Sequence, residues 1–161
     1  MTTPQPRVTP RLQKLFKEYA SSHQTKGNQV THYIGIPMIM LSLLGLLSLL
    51  VIWTNPTPGS LGDLLRLDGG MILFLGATFL YMYLDWKIAI PFAFVVLSFY
   101  FVGRSIPTGW LAAVFVVGWV IQLWGHIKYE KKRPSFMQNL VHVFVGPLWI
   151  FSKTIGYISA K

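Results

Sequence analysis

The stretch Tyr33–Trp53, YIGIPMIMLSLLGLLSLLVIW, runs for 21 residues without a charge and has an aromatic residue at each end. As a helix it would be about 31 Å long, enough to cross the hydrocarbon core of a bilayer. Tyrosine and tryptophan favour the two boundaries of such a span. Asn55-Pro56-Thr57-Pro58-Gly59 follows and ends any helix. Further on, Gly69–Leu84 and Ile88–Val102 are shorter apolar stretches either side of Asp85-Trp86-Lys87. Each would measure roughly 23–24 Å as a helix, and together they read as a tight helical hairpin with Asp85 as a turn or cap residue. Trp110–Gly125, after Pro107-Thr108-Gly109, is a fourth apolar helix. The last apolar stretch, 140–158, is interrupted by His142, Gly146-Pro147 and Lys153, and reads as interfacial or re-entrant.

The composition agrees with these spans. Of 161 residues, 53% are hydrophobic and only 12% charged, against roughly 45–50% and 25% in soluble domains. A disordered chain, a collagen and a soluble coiled coil are excluded. Residues 1–10, with Pro4, Pro6 and Pro10, are expected to be a flexible N-terminus, and no secretory signal core is present there. In the segment 11–32, Leu12, Leu15, Phe16 and Tyr19 recur at helical spacing, which predicts a short amphipathic helix. Lys26-Gly27-Asn28 is expected to break it, with Asn28 capping the next helix. The fold expected is an all-α integral membrane protein forming one domain. Four membrane-embedded helices fill 33–125, with amphipathic or interfacial helices at the N-terminus and in 126–161.

The formal charge is +9. In so apolar a chain, such an excess points to anionic lipid headgroups and membrane topology, and nucleic acid is not expected as a partner. Arg7, Arg11, Lys14, Lys17 and Lys26 precede the first span, and Lys128, Lys131, Lys132, Arg133, Lys153 and Lys161 follow the fourth. Eleven of the fourteen basic residues thus flank the four-helix region, leaving Arg66, Lys87 and Arg104 in its connections. By the positive-inside rule both termini are cytoplasmic, which requires an even number of spans.

All four histidines fall at that same face. His23 and His32 flank the start of the first span, His126 ends the fourth and His142 lies just beyond. Neutral imidazole is the commonest protein metal ligand, so a converging set could hold a divalent ion. Asn28 and His32 are four apart, as are His126 and Glu130, which offers a carboxylate ligand or an acceptor to orient the ring. With no cysteine in the chain, the donors available are nitrogen and oxygen, which suits non-haem Fe(II) and, less selectively, Zn or Mn. The same histidines could instead only cap helix carbonyls near the headgroups. Residues 129–133 could likewise be no more than a basic run resting on anionic lipid. Gln122, inside an apolar helix, could bond a neighbouring helix or face an interior.

These residues also form two motifs. The first is Tyr19-x3-His23-x4-Asn28-x3-His32-x2-Gly35-Ile36-Pro37. The second is Trp119-x2-Gln122-x2-Gly125-His126-x3-Glu130-Lys131-x-Arg133-Pro134, followed by Asn139-Leu140. In this order around a hydrophobic middle, they resemble the membrane family of 2-hydroxy fatty acid dioxygenases, named for the metabolism of phytosphingosine to odd-numbered fatty acids. The resemblance runs from about Lys14 to Trp149. It implies an Fe(II)-dependent enzyme that uses O2 to shorten a 2-hydroxy fatty acid by one carbon, with Fe(2+) held by His23, His32 and His126 and with His142 as a fourth candidate ligand.

In that setting Arg133, whose fork matches a carboxylate, could pair with the substrate, as could Lys131 or Lys132. Asn28, Gln122 and Tyr129 are candidates for supporting hydrogen bonds, and Glu130 for the carboxylate role. The acyl tail would lie between apolar helices. The compact chain suits a bacterial inner membrane, or the endoplasmic reticulum in a eukaryote. Two other classes fit the same residues: a non-catalytic lipid-binding or scaffold membrane protein, and a metal-dependent membrane hydrolase.

Overall fold

The computed structural model describes residues 8–54 and 66–158. The expectations for residues 1–7, for Asn55-Pro56-Thr57-Pro58-Gly59 and for the charges of Arg7 and Lys161 fall outside them. Five α-helices account for most of the described chain: α1 (Pro10–Ser21), α2 (Lys26–Leu47), α3 (Gly69–Arg104), α4 (Thr108–Gly125) and α5 (His142–Thr154). A π-helical turn, His126–Glu130, extends α4, and a 3-10 turn, Ser135–Met137, precedes α5. Two short strands, β1 (Val51–Trp53) and β2 (Leu67–Asp68), pair antiparallel. Lys26–Leu47, Gly69–Arg104 and the combined run Thr108–Glu130 are long and apolar enough to cross a membrane.

Four expectations are corrected. The helix expected over Tyr33–Trp53 starts and ends earlier, at Lys26 and Leu47. Thr25, rather than Asn28, is its cap: the Thr25 hydroxyl accepts the Asn28 N–H at 3.4 Å. At the far end the β-prone Val51-Ile52-Trp53 leaves the helix to pair with β2, and Gly69 N donates to Leu50 O at 3.1 Å. The chain is therefore not purely helical. Nor do Gly146-Pro147 interrupt the last apolar stretch, because α5 runs through both. Its 13 residues span only about 20 Å. Buried Val145, Leu148 and Trp149 belong to the same protein core as Leu12, Phe16 and Tyr19 of α1.

Helix α3 is folded back on itself. Only Asp85 leaves helical geometry (φ −164°, ψ 99°), yet the rings of Tyr81 and Phe92 lie 5.3 Å apart, where a straight helix would separate them by about 16 Å. The limbs 69–84 and 86–104 run side by side, as a hairpin requires. Asp85 is the turn residue expected. One carboxylate oxygen accepts the Lys87 N–H at 3.2 Å and the other the Thr9 N–H at 3.0 Å, so the turn also anchors the start of α1.

The open end of this hairpin is closed by Asp68, which is fully buried. It caps α3 by accepting the Met71 N–H, and it accepts from the Tyr100 hydroxyl and from Arg66 Nε, all at 2.8 Å. Asp68→Ala would leave the phenol and the guanidinium without their acceptor in a poorly hydrated place. Roughly 3–5 kcal/mol of stability is expected to be lost, seen as a lower thermal midpoint in detergent. An unchanged midpoint would show that the cluster stabilises nothing.

Helix α2 lies between the α3 hairpin and α4. Its approach is set by small residues: a Cβ on Gly35 would lie 2.8 Å from Gly118 O, and one on Gly45 would lie 2.8 Å from Gly103 O. The α2 start, the Asp85 turn, the α4 end, α1 and α5 thus gather at one end of the molecule, with the strands at the other. Exposed Trp86 and Trp124 mark the first end and exposed Trp53 and Trp110 the second. Lys87 joins the histidine end. Among the described residues, only Arg66 and Arg104 of the basic side chains lie opposite.

Candidate metal centre

His23 lies in the short link between α1 and α2, and His32 sits one turn and a half into α2. Each has its Nδ1 committed. His23 Nδ1 donates to Tyr19 O at 2.7 Å, and His32 Nδ1 donates to Asn28 O at 2.9 Å. Because both partners are carbonyls, each Nδ1 carries the proton and each Nε2 presents a lone pair. The two Nε2 atoms face one another at 3.1 Å. Two lone pairs at that distance repel, and only a cation between or beside them makes the arrangement favourable. A proton is a poor candidate, since burial, reinforced by neighbouring His32, lowers the pKa of His23 to about 3.

His126 completes the group. One ring nitrogen from each of His23, His32 and His126 lies within 4.8 Å of the others, and all three residues are buried. His126 Nδ1 is buried without a hydrogen-bond partner. Its ring stands edge-on to both others, with centroids 4.8 and 4.9 Å away. A Zn–N bond is about 2.0–2.1 Å, so two nitrogens 3.1 Å apart fit as neighbours around one small divalent ion. Three imidazoles also leave positions open for other ligands. The donor set fits a metal.

Glu130 is placed by the π-helical turn, which ends with Lys131 in the left-handed region (φ 54°), its N–H donating to His126 O at 2.8 Å. Such turns occur frequently at functional sites. Glu130 does not join the ligand group. Its Oε1 accepts the Gln24 N–H at 3.0 Å, and its Oε2 accepts the Thr25 N–H at 3.1 Å, the Thr25 hydroxyl at 2.9 Å and Asn28 Nδ2 at 3.3 Å. The carboxylate clamps the link that carries His23.

Asn28 is wholly buried and serves twice, holding His32 through its carbonyl and Glu130 through its amide. Its Oδ1 has no partner. Gln122 faces the interior, packed where a Cβ on Gly35 would meet its Cγ. Tyr129 is not brought to the site: it is exposed, covers Gly27 and lies under Lys128. Arg133 is exposed too, and with Lys131 and Lys132 it lines a shallow groove that reaches His126 from the outside. His142 stands apart from the three-histidine group. Its Nδ1 donates to Ser135 O at 3.2 Å, and its Nε2 is buried without a hydrogen bond, 3.4 Å from Glu18 Oε2.

Tyr19, read in sequence as a helix-face and motif residue with no role at the site, is the residue between. Its ring stacks on His23 at 3.9 Å and meets His142 edge-on at 6.2 Å. Burial pushes its phenol well above the ordinary tyrosine range. Its spacing of four from His23 was a usable signal, and Tyr19 O is indeed the acceptor that fixes that ring. Helix α5 braces the same residue. Lys153 lies over Trp149 at 4.3 Å and donates to Gln29 Oε1 at 3.1 Å, while Gln29 Nε2 donates to His23 O at 2.7 Å.

An apolar cavity opens from the three histidines and passes between α2, α3 and α4, with the 3-10 turn and the start of α5 as a further wall. Beyond Tyr19, Gln122, Ser135 and His142 its walls are hydrophobic, ending at Leu44, Leu73 and Val96.

A family model described as 2-hydroxy-palmitic acid dioxygenase Mpo1-like matches residues 10–158. The chain belongs to this family. No curated protein matches it, and no solved structure does.

Proposed function

We propose that this member of the Mpo1-like family is an Fe(II)-dependent dioxygenase that converts a 2-hydroxy fatty acid and O2 to a fatty acid one carbon shorter. The observation that carries this is the pair of imidazole lone pairs facing each other at 3.1 Å, with His126 beside them, at the mouth of an apolar cavity. His23, His32 and His126 would hold the ion. When bound, it would offer open positions where an α-hydroxy carboxylate and O2 can meet.

The chain's own residues do the rest. Tyr19 O and Asn28 O hold the two Nδ1–H groups and so aim both Nε2 atoms. Glu130 fixes the link carrying His23. Arg133, with Lys131 and Lys132, draws the substrate carboxylate toward the groove beside His126. Gln122 lies where it can hydrogen-bond the polar head, and the tail enters the apolar cavity. Tyr129 shapes the outer wall over Gly27. His142 is a neighbour of the head rather than a ligand.

The same reading gives four membrane crossings, because the α3 hairpin supplies two. The histidine end faces the cytoplasm, since the basic residues gather there. Protein purified in detergent is expected to contain iron and to consume O2 with 2-hydroxypalmitate. Chelation should abolish uptake and added Fe(II) restore it. Bound zinc with no O2 uptake would favour a hydrolase, and absence of any bound metal would leave a lipid-binding or scaffold role.

A further inference from the structure

The cavity does not cross the molecule; it stops. Measured along α2, its wall extends from His32 to Leu44, twelve residues or about 18 Å. That is close to the depth of one leaflet of hydrocarbon, roughly half of a 30 Å core. The residues at its end are Leu44, Leu73 and Val96. Behind them is Tyr100, one helical turn beyond Val96, which is fully buried and hydrogen-bonded to Asp68 at 2.8 Å. Gly70 closes the remaining side: a Cβ there would lie 2.5 Å from Leu44 O and 3.1 Å from the Tyr100 ring. There is no room for a chain to continue past this floor, and the Asp68 cluster holds the floor rigid.

We propose that Leu44, Leu73 and Val96, backed by Tyr100, are a gauge that limits the acyl tail of the acid bound at the histidine end to long chains of about one leaflet's depth. The proposal rests on the dioxygenase reading for the identity of the head, but the gauge concerns the tail alone. Ala77 lines the wall between the two ends, and its small side chain leaves the passage open at mid-depth. A methylene too many in an apolar pocket costs about 10–200-fold in specificity, and an overfilled wall cannot yield without strain.

The test compares kcat/KM for 2-hydroxydecanoate, 2-hydroxypalmitate and 2-hydroxyicosanoate in the full-length, iron-loaded protein. Ala77→Phe is expected to lower the palmitate-to-decanoate ratio at least about tenfold. Val96→Ala, which deepens the floor, should shift the icosanoate-to-palmitate ratio the opposite way. Displacement of a bound fluorescent fatty acid by saturated acids of the same three lengths is measured in parallel, with metal content as the check on folding. If no 2-hydroxy acid is oxidised but the displacement profiles still shift with the variants, the dioxygenase reading falls and the gauge stands. If both variants keep the wild-type length profile in turnover and in displacement, the gauge is overturned.

Discussion

Replacing any one of His23, His32 or His126 with alanine is expected to remove the bound metal and to lower turnover by about a thousandfold or more. A catalytic ion contributes several kcal/mol of transition-state stabilisation, at a tenfold change for each 1.4 kcal/mol. The expectation follows from the lone pairs that Tyr19 O and Asn28 O hold toward each other at 3.1 Å. Without an ion these atoms repel, so the metal-free protein carries a cost that the His23 and His32 variants lack. Added metal should therefore raise the thermal midpoint of the wild-type protein and leave those of the variants unmoved. His142→Gln provides the contrast, retaining the metal and its stabilising effect because the Tyr19 ring stands between His142 and the group. Full metal content in any of the three alanine variants would sink the assignment, and loss of metal in His142→Gln would return His142 to the ligand set.

The convergence of His23, His32 and His126 was legible in sequence because so apolar a chain makes its few polar residues informative. In an apolar chain, a histidine at a helix end has few reasons to be there, and the basic residues already show which ends lie together. The hairpin at Asp85 could be read for the same cause: two charged residues between two short apolar stretches mark where the helix breaks. What escaped depended on competition among local hydrogen bonds. Thr25 and Asn28 are both good caps; Thr25 takes the role, and Glu130, more than a hundred residues away, holds both the Thr25 hydroxyl and the Asn28 amide. The i,i+4 pairing of His126 with Glu130 assumed α-helical geometry, which the π-helical turn abolishes. Val51–Trp53 looked like the end of a span because hydropathy does not distinguish a strand from a helix. His142 lies at the same end of the molecule as the other histidines, but that placement says nothing of the Tyr19 ring that separates it from them.

The second large effect concerns a residue that touches no metal in this arrangement. Glu130→Ala would leave the Gln24 and Thr25 N–H groups and the Asn28 amide without the acceptor they share. The link carrying His23 would then relax, and with it the spacing of the two Nε2 atoms. Groups that orient metal ligands typically cost about 10–100-fold in affinity when removed, and that weakening is expected here in competition with a chelator. Turnover at saturating Fe(II) should recover much of its wild-type value, which a missing ligand would not permit. Glu130→Gln is the finer probe, since it keeps the shape but turns one acceptor oxygen into a donor facing donors. It should weaken metal binding while leaving the visible spectrum of the Co(II)-loaded protein unchanged, because the ligand set stays the same. A changed Co(II) spectrum would mean that Glu130 binds the ion directly. Affinity unaltered in both variants would mean that the clamp does not position His23.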